Sequence, residues 1–362
     1  MVAVIRALVV DDSAVARRLI SNVLNAEPDI ESETAANGRL ALERMALAMP
    51  DVVVLDVEMP ELDGLATLRR IKELDPDLPV IMCSAPTAEA GNATLDALAA
   101  GAADYVTKPS GSGGLAETLD ELRTELVRRV RAVARLRGRD IDAGPVADAP
   151  ARSFPPAVRP RRRSQQCAAV VVAVSTGGPQ ALAEVIPALP SDLAVPVLIV
   201  QHMPPTFTRL LAERLDGKSS VRVVEAQDGM AVDAGTVYVA PGDHHMRVVR
   251  RNGAVLIALD QEPPENSCRP AADPLFRSAA EVWGVGVFGV VLTGMGSDGT
   301  SGAQRIAERG GQVIAQDEAT SVVWGMPGAV VRAGVAEREV PLAEVAKQIV
   351  RAASAGRSPI GV

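Results

Sequence analysis

From Arg6 to Leu136 the chain alternates short, β-branched apolar runs with longer amphipathic stretches. The short runs predict strands at Ala7 to Val10, Ile30 to Ala35, Val52 to Leu55, Val80 to Cys83 and Tyr105 to Thr107. The longer stretches predict helices over Ser13 to Asn25, Gly38 to Ala48, Leu65 to Leu74, Thr87 to Ala100 and Leu115 to Leu136. Five such β–α units imply a doubly wound parallel five-stranded sheet with its ligand site at the strands' carboxyl ends.

The apolar period is lost over residues 137–167, where Gly138 to Gln166 is rich in Pro, Ala, Arg and Asp. That composition predicts a linker of extended, partly polyproline character. From residue 168 to 362 the alternation returns. CAAVVVAV and VPVLIV are strand-like, and Gln180 to Leu189 and Phe207 to Leu215 helical. The texture then shortens to VRVVEA, TVYVAP, HHMRVVR and AVLIAL, with Gly and Asp between them as in β-hairpins. Helix and strand alternate again from Pro274 to Leu292 and on to Val331. The expectation is a second α/β domain with a mostly parallel sheet and an antiparallel β-hairpin excursion.

Composition agrees with parallel sheets, since 48% of residues are hydrophobic and only 2% aromatic, leaving cores of Ala, Val, Leu and Ile. No apolar run approaches the roughly 18 residues of a membrane span, so no membrane insertion is expected. The start, MVAVIRALVVDDS, does not read as a secretory signal, which points to a cytoplasmic protein. Cys83, Cys167 and Cys268 share no metal-like or redox spacing and are expected as free buried thiols. Residues 1–136 hold 14 basic and 22 acidic groups, residues 137–167 hold 7 and 3, and residues 168–362 hold 16 and 20. Neither large segment has the positive balance of a nucleic-acid binder, so no nucleic acid is expected as partner. The Arg161 to Arg163 cluster in the basic middle piece reads as solvated linker or as a dock for an acidic surface, the acidic first segment included.

In the first segment Asp11 and Asp12 follow the first predicted strand, Asp56 the third, Ser84 the fourth and Lys108 the fifth. Singly, such residues cap helices and solvate loops. Three carboxylates at one rim repel one another and suit a hard divalent cation such as Mg2+. With that charge and the Lys108 ammonium in place, Asp56 can act as a nucleophile toward a phosphoryl group. The strings VVDDS, LDVEMPELDG, SAPT and YVTKP resemble a response-regulator receiver domain, flavodoxin-like in fold, over residues 4–136. The resemblance implies Asp56 as phosphoacceptor, and Asp12 and Asp56 as direct Mg2+ ligands with Asp11 assisting and the Glu58 carbonyl completing the set. It further implies that Ser84 and Lys108 bind the phosphoryl oxygens and that Tyr105 reports the switch. Pro86 departs from the pattern and would stiffen the loop after Ser84.

In the second segment VAVSTGGP, Val172 to Pro179, ends an apolar run with a hydroxyl and two glycines. Its A-x-S-x-G form suits a strand-to-helix turn that projects Ser175 beside free backbone N–H groups. His202 follows the next predicted strand, and Asp298 follows Val287 to Thr293 in VVLTGMGSDGT. If the three strands are parallel in one sheet, these residues share its carboxyl-end rim. His202 can then accept the Ser175 proton, Asp298 can hold the opposite ring nitrogen, and N–H groups near Thr176 or Met295 can face an oxyanion. Packing roles remain open for each: Ser175 as a helix cap, His202 under Pro204 and Pro205, Asp298 as a cap for a helix near Ser301. His244 and His245 lie in APGDHHM, which reads as a turn between hairpin strands and a poorer platform. GMGSDG and GVGVFG both fit G-x-G-x-x-G, with Asp317 at the offset of a ribose-binding acid after the first. Asp298 inside that turn would repel a pyrophosphate.

The strings VSTGGP, QHMPPTFTRLLAERL, VYVAPGDHHM, CRPAADPLFRSAA, LTGMGSDG and AQDEATSVVWGMPGAV resemble the chemotaxis protein-glutamate methylesterase (CheB) family over about residues 170–332. The resemblance implies a Ser175, His202, Asp298 triad with Thr176 and the Met295 N–H at the oxyanion site, and no cofactor in the esterase domain. It implies hydrolysis of γ-glutamyl methyl esters on chemoreceptor cytoplasmic helices, glutamine deamidation as a second activity, and a CheA-like histidine kinase as phosphodonor. Phosphorylation would relieve inhibition by the receiver. Ala173 and Val174 stand where Gly and Ala are expected, which would tighten the space beside the nucleophile, and His244 replaces a bulky residue. A receiver-coupled nucleotide- or DNA-binding output is the alternative, against which stand the acidic balance and the absence of a compact helix-turn-helix unit.

Overall fold

Apolar runs buried on both faces form the central strands: Val52–Asp56 and Ala169–Val174 have no exposed residue, as a parallel sheet between helix layers requires. The computed structural model describes residues 4–85, 87–108, 115–134 and 166–355. It forms two units, Met1–Ala151 and Arg152–Val362. Pro86, the Arg161 to Arg163 cluster and nearly all of the expected linker lie outside the described residues. Among the described residues no helix is long and apolar enough to cross a membrane.

The first unit runs β1 (Ile5–Val10), α1 (Ala14–Asn25), β2 (Ile30–Ala35), α2 (Gly38–Leu47), β3 (Val52–Asp56), α3 (Gly64–Leu74), β4 (Val80–Ser84), α4 (Ala88–Ala99), β5 (Asp104–Thr107) and α5 (Leu115–Ala134). Its five strands are parallel in the order β2-β1-β3-β4-β5. The order reverses between β1 and β3, so a crevice opens at their carboxyl ends. Helices begin where side-chain oxygens of Ser13, Asn37, Asp63 and Thr87 accept from the first turn. The core under α1 and α5 is built from Ile5, Val9, Leu24, Val54, Leu126 and Val130.

The second unit runs β6 (Ala169–Val174), α6 (Gly178–Val185), β7 (Val197–Gln201), α7 (Pro205–Asp216), β8 (Arg222–Glu225), β9 (Thr236–Val239), β10 (His245–Arg251), β11 (Ala254–Asp260) and α8 (Ala272–Trp283). It continues with β12 (Val287–Val291), α9 (Thr300–Glu308), β13 (Gln312–Gln316), α10 (Met326–Arg332), β14 (Arg338–Val340) and α11 (Leu342–Ser354). Seven parallel strands stand in the order β14-β13-β12-β6-β7-β9-β8. β6 lies between β12 and β7, so the carboxyl ends that precede Asp298, Ser175 and His202 are adjacent. Fully buried Val172, Ile199 and Val290 stabilise this centre, each by about 1.5–3 kcal/mol relative to exposure.

The antiparallel hairpin excursion is present, but with fewer strands than the sequence texture suggests. Among the described residues β10 and β11 are the one antiparallel strand pair, whereas VRVVEA and TVYVAP supply β8 and β9, parallel strands at one side of the main sheet. Local alternation is the same for either pairing. The β8–β9 crossover is held on the hairpin instead: Val232 N–H donates to Val255 O, and Ile257 N–H to Met230 O. APGDHHM therefore joins a sheet strand to the hairpin rather than two hairpin strands.

Candidate active site

Ser175 stands at the end of β6, where the chain turns into α6. Its N–H donates to Thr293 O at 3.0 Å, and its carbonyl accepts from Gly178 N at 2.7 Å. The neighbouring turns come close enough that only glycine fits. A Cβ on Gly294 would lie 2.8 Å from Ser175 Cβ, and one on Gly178 would lie 1.9 Å from Gln201 Oε1. Gln201 Nε2 donates to the carbonyls of Ser175 and His202 at 3.1 and 3.4 Å, and so ties the ends of β6 and β7 together. Ala173 and Val174 are accommodated by glycines, since a Cβ on Gly299 would meet Ala173 Cβ at 3.2 Å and one on Gly178 would meet Val174 Cγ2 at 2.7 Å.

His202 Nε2 and Asp298 Oδ2 are 2.8 Å apart, with the two side chains 11% and 2% exposed. Burial would neutralise Asp298, but its donors outweigh that and hold its carboxyl below the usual range. They are His202 and the N–H groups of Ala272 and Asp273, with Asn266 Nδ2 and Gly299 N completing the set. Burial would also lower His202; the Cys268 thiol and Asp298 outweigh it and push the imidazole up to about 10. The ring orientation leaves Nδ1 for a nucleophile. In this structure Nδ1 faces Cys268 Sγ at 3.5 Å, and no hydrogen bond joins it to Ser175 Oγ. Such bonds commonly tighten only when substrate is bound.

Three residues here were not assigned to the site from the sequence: Cys268, expected there only as a buried thiol, and Asn266 and Asp273. Asn266 Nδ2 bridges Asp298 Oδ1 at 2.9 Å and Asp273 Oδ2 at 3.0 Å. Asp273 is pushed up to about 6 by burial and by the Asp298 charge. Their only sequence signal is a cluster of polar residues in ENSCRPAAD, between a strand and a helix. All three cysteines are free, but only Cys83 is buried, so the buried-thiol expectation fails for Cys167 and Cys268.

The other histidines serve structure. His245 is fully buried, accepts from Ala271 N at Nδ1 and pairs Nε2 with Pro263 O. His244 Nδ1 lies against Gly242 O. The GMGSDG turn delivers Asp298 to His202, and Asp317 Oδ1 accepts from Thr320, which leaves the dinucleotide reading without a site. Met295 is partly exposed in that turn, and its N–H is used by no hydrogen bond among the described residues.

The first unit gathers its charges as the sequence predicts. Lys108 Nζ lies 2.9 Å from Asp11 Oδ2 and 2.7 Å from Asp56 Oδ2. Carboxylate oxygens of Asp11, Asp12 and Asp56 all come within 4.8 Å of one another. A cavity of about 740 Å³ opens there, lined by Asp12, Asp56, Glu58, Asp96 and Lys108 among others. Burial raises the Asp56 carboxyl, with Lys108 opposing; burial would lower Lys108, but Asp56 and Asp11 outweigh it and hold its ammonium above the usual range. An all-oxygen set with more negative than positive charge fits a hard divalent cation. The Ser84 hydroxyl is buried and donates to Ala85 O at 3.2 Å and to Ala90 O at 3.3 Å. Tyr105 is buried, beside the Asp104–Arg129 ion pair.

A family model described as CheB methylesterase matches residues 170–349, and one described as response regulator receiver domain matches residues 7–120. A Nocardioides sp. protein named protein-glutamate methylesterase/protein-glutamine glutaminase is 48% identical over 351 residues, covering 96% of this chain and 95% of that protein. A Trichodesmium erythraeum protein of the same name is 44% identical over 348 residues, covering 96% and 98%. The crystal structure of the Thermotoga maritima CheB methylesterase catalytic domain is 43% identical, covers 52% of this chain and 99% of its own, and superposes with a TM-score of 0.51.

Proposed function

The chain belongs to the family of CheB methylesterases carrying a receiver domain, and on that premise we propose that Ser175, His202 and Asp298 are its catalytic triad. The function is that of a chemotaxis methylesterase, a hydrolase of glutamate methyl esters. The observation that carries the residue assignment is the His202–Asp298 pair at 2.8 Å, brought together by the segments that follow the two strands flanking β6.

In this reading Ser175 Oγ attacks the ester carbonyl while its proton passes to His202 Nδ1. Asp298 stabilises the imidazolium through Nε2. The uncommitted Met295 N–H, with Thr176, supports the oxyanion. His202 then returns the proton to the leaving methanol, and water hydrolyses the acyl-enzyme by the same route. A γ-glutamyl amide in place of the ester would release ammonia, so glutamine deamidation follows from the same chemistry. No cofactor is required in this domain.

For the receiver, Asp56 is the phosphoacceptor. Asp11, Asp12, Asp56 and the Glu58 carbonyl would hold Mg2+, which neutralises charge on an incoming phosphoryl group when bound. Lys108 is already placed against Asp56 and would bind a phosphoryl oxygen, joined by Ser84, with Tyr105 as the switch aromatic. Residues 1–136 form the receiver, 137–167 the linker and 168–362 the catalytic domain. The receiver implies a phosphodonor kinase, for which a CheA-like histidine kinase is proposed; the substrates are chemoreceptor cytoplasmic helices. The setting is cytoplasmic. Nothing among the matched families supports a nucleotide- or DNA-binding output.

Ser175→Ala should lower methanol release by about a thousandfold or more while leaving the fold intact by circular dichroism. Turnover within tenfold of the parent would remove Ser175 from the triad.

A further inference from the structure

The triad reading leaves one nucleophilic group beside the base unused. Cys268 Sγ lies 3.5 Å from His202 Nδ1, and the opposite ring nitrogen is held by Asp298. A thiol, an imidazole and a carboxylate in line form the constellation that turns a cysteine into a thiolate nucleophile. The thiol is also fixed in place. Cys268 N–H donates to Glu265 O at 2.8 Å and Glu265 N–H to Cys268 O at 3.2 Å, closing a turn through Asn266 and Ser267. Asn266 in turn is tied to Asp298.

We propose that Cys268 is a modification site for hydroperoxides, and that its oxidation reversibly silences the esterase. The proton of Cys268 moves to His202 Nδ1, and the thiolate attacks one peroxide oxygen. The S–O bond forms as the O–O bond breaks, and the departing hydroxide takes the proton from His202 as water. Sulfur is oxidised by two electrons to the sulfenic acid and the peroxide is reduced. The product occupies the face of Nδ1 that must receive the Ser175 proton. A thiol reductant restores it, by a mixed disulfide and then a second thiol.

The chain carries its own controls. Full burial pushes the Cys83 thiol up to about 12, and partial burial pushes the Cys167 thiol up to about 11 against its hydrogen bond to Ala169 O, so both stay protonated and slow. Cys268 is partly exposed and alone among the three faces an imidazole.

The effect on activity rests on the triad reading, but the reactivity of the thiol does not, so two readouts separate them. The full chain is treated with hydrogen peroxide; in one portion dimedone traps the sulfenic acid and the adducts are located by peptide mass spectrometry, and in a second portion without dimedone methanol release is followed before and after dithiothreitol. Labelling of Cys268 at least about tenfold faster than Cys83 and Cys167 is expected, with methanol release falling in step and recovering on reduction. In Cys268→Ala the rate remaining, whatever its level, should be unaffected by the same peroxide dose. His202→Ala should slow Cys268 labelling by about tenfold or more. Labelling no faster than at Cys167, labelling unchanged by loss of His202, or equal inactivation of Cys268→Ala would each overturn the proposal.

Discussion

His202 sits between two acidic partners, and this sets how the enzyme should respond to pH. An isolated imidazole would be fully basic above its ordinary value of 6.5, whereas this one is pushed up to about 10 by Cys268 and Asp298 against the effect of burial. The esterase rate should therefore keep rising well above pH 6.5, and Cys268→Ala should move the limb to lower pH. A pH–rate profile flat from 6.5 upward would contradict this. The raised value also stabilises the fold: that contribution is complete below 6.5 and is lost as pH rises through about 10. Ser175, His202 and Asp298 were legible because each follows an apolar run that could only be a buried strand. Cys268, Asn266 and Asp273 were not, because the loop before α8 and the first turn of that helix bring them there and no periodicity encodes that path.

At the level of elements, the close approach of β6, β7 and the β12 turn is what aligns the site, and glycines permit it. Gly178→Ala would place a methyl group 1.9 Å from Gln201 Oε1 and 2.7 Å from Val174 Cγ2. It should cost about 1–3 kcal/mol in thermal or denaturant unfolding, and lower esterase activity through misplacement of Ser175. An unchanged melting temperature and activity would show that the turn has slack. The central strands were readable because parallel strands covered on both faces appear as unbroken Val and Ile runs. β8 and β9 were misread because alternation in an edge strand carries no sign of its partner's direction. Only the crossover hydrogen-bonded to β11 distinguishes the two pairings.

For the whole molecule, the points where the apolar period stops and resumes mark two α/β segments about a polar basic stretch, and it is the motif strings that liken the first to a receiver and the second to an esterase. How one domain acts on the other is not encoded in either core. With Asp56, held by Lys108 at 2.7 Å, as the proposed phosphoacceptor, Asp56→Asn should abolish any response of the esterase to a phosphodonor. A response retained in that variant would place control elsewhere. The most direct measurement is methanol release from receptor membranes carrying glutamate methyl esters, by the full chain with and without a small-molecule phosphodonor. Release should increase with the phosphodonor and be lost in Ser175→Ala; no release in either condition would rule out the esterase assignment.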